Sequence, residues 1–305
     1  MERRYRTASE QFSELFGGKT YKISLSGGMT CPTRDGHLDT RGCIFCSAGG
    51  SGEFAEPYDG CLASQIERAK ARVRKKAGEH PRYLAYFQSY TNTYAPTAYL
   101  RTLYEAALAA PDIVGLSVAT RPDCLEETTL DLLGELARRV PVFVELGLQT
   151  TCSRSVAYIR RGYPTEVYDR AMTALKQRGI HTVTHIIFGL PGETREDMMA
   201  TVRHAAEMGS EGVKLQLLQV LAGTDLAEDY RAGKFATLTP EEYYSLVGEA
   251  LTLLPADTVI HRLTGDPPKR LLIAPLWAAD KKRVRADMAR YFDEHDIRAG
   301  SRYDK

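Results

Sequence analysis

A chain of 305 residues, 43% hydrophobic and 26% charged, is long enough and apolar enough to bury a sizeable core, which excludes a disordered polymer. Its net charge of +1 argues neither for nor against nucleic acid as a partner, because a local basic patch fits inside a neutral total. The longest apolar runs, such as 180–190, are too short to span a bilayer, and the opening MERRYRTASEQF lacks the apolar centre of a signal peptide; a cytoplasmic protein is expected.

A helix over 5–16 precedes a first strand at 20–26 (TYKISLS). A turn-rich segment follows, holding Pro32, Asp35-Gly36 and the run AGGSG at 48–52, then a helix over 62–77. From there strands and helices alternate. Strands are predicted at 83–88, 113–119, 141–148, 180–188 and 212–218, with helices at 96–110, 125–139, 194–208 and 225–232 between and after them. The stretch 153–178 reads as two helical pieces broken near 162–164. A helix at 241–254, a seventh strand at 258–263 and a terminal helix at 280–294 complete the chain. This rhythm implies right-handed βαβ crossovers and a parallel sheet, which an open doubly wound sheet or a full or partial barrel would both satisfy. Polar residues follow each of the first six strands. That spread favours a barrel, whose active site draws on many strand ends, over an open sheet with one switch point. One domain over 1–305 is expected, with a core at about 20–255 and a C-terminal extension at about 256–305.

Three of the six cysteines fall within 31–46, spaced Cys-x11-Cys-x2-Cys. In a reducing compartment, clustered thiols indicate a metal site or catalysis. Cys61, Cys124 and Cys152 are scattered and expected to be buried thiols. Three thiolates suit zinc, copper(I) or an iron–sulfur cluster. His37 would complete a Cys₃His zinc site, whereas a [4Fe–4S] cluster held by three cysteines keeps one iron open to a small molecule. Spacing alone leaves the two readings even. A position directly after the first strand, at the mouth of a βα barrel, favours the catalytic cluster.

In chain order stand CPTRDG at 31–36, GCIFC at 42–46, TNT at 91–93, ATRPDCL at 119–125, VELGLQT at 144–150, GLP at 189–191 and HRLTGD at 261–266. This order of motifs resembles the radical S-adenosylmethionine (SAM) superfamily, within it the group related to the catalytic subunit of Elongator, and more closely a bacterial subgroup with CPxRDG and GCxFC at the cluster. The resemblance implies an α/β fold, a partial (β/α)6 TIM-like barrel with short N- and C-terminal additions. It implies that Cys31, Cys43 and Cys46 ligate a [4Fe–4S] cluster, with SAM on the fourth iron. Phe45 would shield SAM or the cluster, Gln149 would reach the ribose, and Arg161 would contact SAM. Glu145 and Gln149 alternate on one strand and should face inward together.

Two departures from the family pattern stand out. Gln88-Ser89-Tyr90 replaces the usual Gly-Gly-Glu, leaving Gln88 and nearby backbone carbonyls to serve SAM. Ala119 replaces a carboxylate, for which Glu145 is the expected substitute. Arg121 and Asp123 are placed to pair with each other across Pro122. Thr194 and Asp197 read as a helix cap after the GLP turn.

Lys214 and Gln216 alternate inward on the sixth strand; with His261 and Arg262, Lys214 is a candidate to bind an anionic substrate and act in catalysis. By resemblance the substrate is tRNA, with 5-carboxymethylaminomethyl-uridine at the wobble position trimmed to the aminomethyl form. A flavodoxin- or ferredoxin-type electron donor is implied. Another nucleoside or small metabolite is the alternative substrate, and a non-catalytic, zinc-stabilised RNA-binding protein is the rival class. Basic runs at 68–76 and 281–285 would contact phosphates if the partner is RNA.

Overall fold

The structure, a computed structural model, describes residues 4–304. Its strands are β1 (Arg6–Thr7), β2 (Thr20–Leu25), β3 (Arg82–Phe87), β4 (Ile113–Thr120), β5 (Val142–Gln149), β6 (His181–Phe188), β7 (Gly212–Leu217), β8 (Val220–Leu221), β9 (Val259–Arg262) and β10 (Leu272–Ala274). Its helices are α1 (Ala8–Phe16), α2 (Leu62–Ala77), α3 (Thr97–Leu108), α4 (Glu127–Ala137), α5 (Ser153–Tyr158), α6 (Thr165–Gln177), α7 (Arg195–Glu207), α8 (Asp225–Arg231), α9 (Pro240–Leu253) and α10 (Lys281–Glu294). Eight strands form one parallel sheet in the order β1-β9-β7-β6-β5-β4-β3-β2. The six predicted βα strands are all present, and β9 is the predicted seventh. Composition did not reveal β1, two residues long, or the antiparallel pair β8–β10, because neither has enough residues to show a period.

The sheet curls into a partial barrel. Lys214 Nζ on β7 stands 3.0 Å from the Tyr86 hydroxyl on β3, four strands away. In a flat sheet that separation would be about 19 Å at the usual strand spacing, beyond the combined reach of the two side chains. The outer face carries the main apolar core, with Leu100, Leu133, Met172, Val202 and Val247 from the surrounding helices packed on Phe87, Val118, Val144 and Ile186. Strands covered this way read as nearly continuous apolar runs. The inner face differs: small and polar residues alternate with the outward apolar set.

Helix α1 closes the N-terminal end of the barrel. A capping box of Thr7 and Glu10 starts it, and Gly17, at φ +69°, ends it in the left-handed region that glycine tolerates. Its Phe12 packs with Leu84, Phe143 and Val183 as a plug, edge-on to Phe143 with ring centroids 5.5 Å apart. The predicted cap of α7 is present as a reciprocal Thr194–Asp197 box. Among the described residues, no helix is long and apolar enough to cross a membrane.

The plug seals one end, so opening it should cost stability without touching the other end. Phe12→Ala is expected to lower the unfolding free energy by about 3 kcal/mol, read as a lower urea midpoint at unchanged slope.

Candidate active site

At the opposite, C-terminal end of the strands lies a cavity of about 420 Å³, within the range of small-molecule and cofactor sites. Its rim is the cysteine loop. Arg34 folds this loop on itself, donating from Nη2 to the carbonyls of Cys46 and Ser47, each at 2.7 Å. Arg160 ties it to the segment after α5, with Nε 2.9 Å from the Gly42 carbonyl. Ile44 is held on both sides by backbone bonds, donating to Ile159 and accepting from Leu226. Cys31, Cys43 and Cys46 are free thiols and all line the cavity. Burial, with Cys46 and Cys31 nearby, pushes the Cys43 thiol up to about 12, and burial also raises Cys46. Binding a metal group here therefore means displacing protons from these thiols.

His37 does not join them. Its ring lies 6.4 Å from that of Tyr94. Among the described residues, no three His, Cys, Asp or Glu side chains converge on a single metal ion. The three thiols line one cavity, and His37 is not among its lining residues. Of the remaining cysteines, Cys124 is buried as expected, Cys152 is half-buried, and Cys61 is exposed, contrary to expectation, because it stands outside the core at the N-terminal cap of α2.

The floor of the cavity is organised by Glu145, which is fully buried on β5. Its carboxylate accepts from one side chain on each of the other five core strands. Lys22 on β2 and Lys214 on β7 are ion-paired to it. The Tyr86 hydroxyl on β3, the Ser117 hydroxyl on β4 and His185 Nε2 on β6 are each 2.9 Å away. Burial alone would raise the Glu145 pKa, but Lys214, Lys22 and His185 hold it well below the usual carboxylate range. Burial pulls Lys214 down to about 7 and His185 to about 4. At neutral pH the carboxylate is charged and His185 is neutral.

Between floor and rim, β5 ends in an unusual turn. Gln149 has φ +65°, in the left-handed region rarely adopted by residues other than glycine. Arg161 secures this turn from beneath, with Nη1 2.5 Å from the Leu148 carbonyl and 2.7 Å from that of Thr150. Its Nε and Nη2 reach the Tyr163 carbonyl and Thr165 Oγ1, so four of its five N–H groups are engaged within the protein. The guanidinium groups of Arg161 and Arg121 both stand over the Tyr163 ring, 4.6 and 4.9 Å from its centroid. Arg121 in turn makes the predicted pair with Asp123, at 2.9 and 2.7 Å. Gln149 Oε1 is buried with no hydrogen-bond partner among the described residues, an acceptor suited to a ligand hydroxyl. Gln88 lines the cavity, its Nε2 donating to the Ser51 carbonyl at 2.8 Å. Phe45 lines the cavity too and packs with Ile44, Ile159 and Ile187, an apolar shield beside the thiols.

Several sequence expectations change in this setting. Glu145 does not stand free for a cofactor, because five partners saturate its oxygens. Lys214 is engaged with Glu145 and Tyr86 rather than open to a substrate anion. Arg161 is a clamp on the β5 turn more than a ligand contact. His261 does not reach the cavity: it points toward the plug, with its ring 5.8 Å from Phe12 and 6.2 Å from Phe143. A Cβ on Gly212 would fall 2.6 Å from the His261 ring, so the glycine makes room for it. Arg262, the next residue, does line the cavity. Sequence reasoning missed Lys22, Tyr86, Ser117 and His185. The signal was the period of two: each occupies an inward position on its strand, where a polar residue interrupts an otherwise apolar run.

Glu145→Gln should cost about 3–5 kcal/mol, because it leaves buried lysines without a counter-charge. Adding Lys214→Met should restore much of that loss, read by urea unfolding of the two variants. The pH dependence follows in sign. Between its ordinary value of 6.5 and about 4, His185 binds a proton in the unfolded chain but not in the folded one, so stability falls as pH drops through that window. Protonation of Glu145 deepens the loss below its ordinary value of 4.5. His185→Gln is expected to flatten the first part of the profile.

The Radical SAM superfamily model matches residues 40–205, and the Radical SAM C-terminal domain model matches 210–294. The first match includes Cys43 and Cys46 and begins after Cys31. The chain is 42% identical to the uncharacterised protein YtqA of Bacillus subtilis, over 93% of this chain and 88% of that one. It is 26% identical to the tRNA uridine(34) acetyltransferase of Methanocaldococcus jannaschii, over 61% of this chain and 34% of that one. The solved structure of Methanocaldococcus infernus Elp3 with an N-terminal deletion shares the fold, with a TM-score of 0.69 and 17% identity over 92% of this chain and 64% of that one. Three thiols at the mouth of a curled parallel sheet, together with these matches, show that the chain belongs to the radical SAM superfamily.

Proposed function

We propose that this radical SAM enzyme acts on tRNA, converting 5-carboxymethylaminomethyl-uridine, or its 2-thio form, at the wobble position to the 5-aminomethyl form. Membership of the family brings a [4Fe–4S] cluster and SAM as cofactors. When bound, they would supply one-electron, hydrogen-abstracting chemistry at the cavity.

The observation that carries the reading is the convergence of three thiols, the unpartnered Gln149 Oε1 and the apolar Phe45 on one cavity at the strand ends. In this reading Cys31, Cys43 and Cys46 hold three irons. Phe45 excludes water from their surroundings, Gln149 accepts from the SAM ribose, and Gln88 borders the same pocket. Arg161 positions Gln149 through the two carbonyls that flank it. Glu145 fixes Lys22 and Lys214 at the floor.

The choice of tRNA rests on the motif resemblance and on the similarity to an enzyme named for tRNA uridine 34. Charged residues add to it modestly. On α2, Arg68 and Arg72 are paired with Glu56, whereas Lys75 and Lys76 are exposed on its last turn. A cytoplasmic location, a flavodoxin- or ferredoxin-type electron donor and a single-domain organisation over 1–305 belong to the same proposal.

Two measurements test it. Anaerobically reconstituted protein should show broad iron–sulfur absorption bleached by dithionite, and Cys43→Ala should lose both that absorption and SAM cleavage. A colourless protein with one zinc ion would refute the cluster. Mass spectrometry of tRNA nucleosides from a deletion strain should show accumulated carboxymethylaminomethyl-uridine; unchanged wobble uridines would remove the tRNA substrate and leave the enzyme class intact.

A further inference from the structure

The floor of the cavity carries more positive charge than the protein itself neutralises. Lys22, Lys214 and Arg262 come from β2, β7 and β9, and Glu145 is the one buried carboxylate among them. Glu145 is fully occupied by its five partners. Arg262 lines the cavity and, among the described residues, its side chain has no hydrogen-bond or ion-pair partner. The other lining carboxylates are engaged elsewhere: Asp266 pairs with Lys281 outside the floor, and Glu53 accepts from Ser47 beside the cysteine loop.

A second unpartnered donor lines the same cavity. Gln219, just past β7, lines the cavity, and its Nε2 is buried with no acceptor among the described residues. The backbone after β9 crowds against this amide: a Cβ on Gly265 would lie 2.4 Å from Nε2. Glycine at 265 thus lets the segment that follows Arg262 pack directly against the Gln219 amide. Buried donors without acceptors are costly, and an unpaired guanidinium presents a planar fork matched to a carboxylate.

We propose that Arg262 and Gln219 form an anion-binding corner that takes the carboxylate of the substrate's side chain. The role given to Lys214 by sequence passes to Arg262, because Lys214 is already committed to Glu145 and Tyr86. The identity of the carboxylate rests on the wobble-uridine reading above; the corner itself rests on the two unpartnered donors.

The test compares two anticodon stem-loop RNAs, one carrying 5-carboxymethylaminomethyl-uridine and one carrying 5-aminomethyl-uridine, bound to cluster-loaded protein without reductant. Fluorescence anisotropy should show the carboxylate RNA binding about 10- to 100-fold more tightly, the worth of a charge-assisted hydrogen-bonded pair. Arg262→Gln should reduce that preference to within about threefold, and Gln219→Leu should reduce it partially. Equal binding of both RNAs by the unaltered protein, or full preference retained in Arg262→Gln, overturns the corner. If Arg262→Gln fails to fold, as read by thermal unfolding, an unchanged preference in Gln219→Leu overturns it instead. If neither RNA binds, the wobble-uridine reading fails, and N-methylglycine becomes the probe in saturation-transfer NMR. Transfer lost in Gln219→Leu then supports the corner, and equal transfer in both proteins overturns it.

Discussion

A single carboxylate sets the geometry on which the rest of this molecule depends. Glu145 on β5 collects a donor from β2, β3, β4, β6 and β7, so that every core strand sends one side chain to the same point. Backbone ladders connect only neighbours; this cluster connects strands that are two or three apart in the sheet. It also makes the inner face polar at mid-height, dividing the apolar plug around Phe12 from the cavity above. Burying such ions is expensive, so the cluster contributes shape and charge placement rather than a large net stability. It remains charged at neutral pH because the lysines outweigh the effect of burial on the carboxylate.

Above that floor, the site is assembled from segments that are irregular for identifiable reasons. The cysteine loop has little secondary structure and is held by arginine contacts to carbonyls, which fix a backbone without a ladder. The Gln149 turn adopts a conformation costly for a side-chain-bearing residue, and Arg161 offsets that cost by bonding both flanking carbonyls. The result is a cavity with the three thiols and Arg34 and Arg121 at its rim and Lys214 and Arg262 deeper in it.

How far the sequence could be read differs by level. The βα rhythm located all six core strands and the seventh, because each buried parallel strand is a compact apolar run bounded by turn residues. The three thiols were legible from spacing. So were the Arg121–Asp123 pair and the α7 cap, since both join residues close in the chain. Misplaced residues were those whose partners come from distant strands. His261 and Arg262 are neighbours in sequence, yet one faces the plug and the other the cavity, because the ladder between β7 and β9 shifts register after Val213. Lys22 and His185 carried a faint period-two signal that means little until the sheet is known to curl.

The sequence by itself determined the class of fold, the direction of the sheet and the position of the thiol cluster at a strand end. Local propensity, turn chemistry and short-range spacing suffice for these. Only the tertiary structure decided which charges neutralise one another, and hence which remain for a ligand. The physical reason is distance: a lysine and a glutamate more than sixty residues apart become an ion pair only once the sheet has closed around them, and that pairing occupies Lys214 and leaves the Arg262 side chain unmatched.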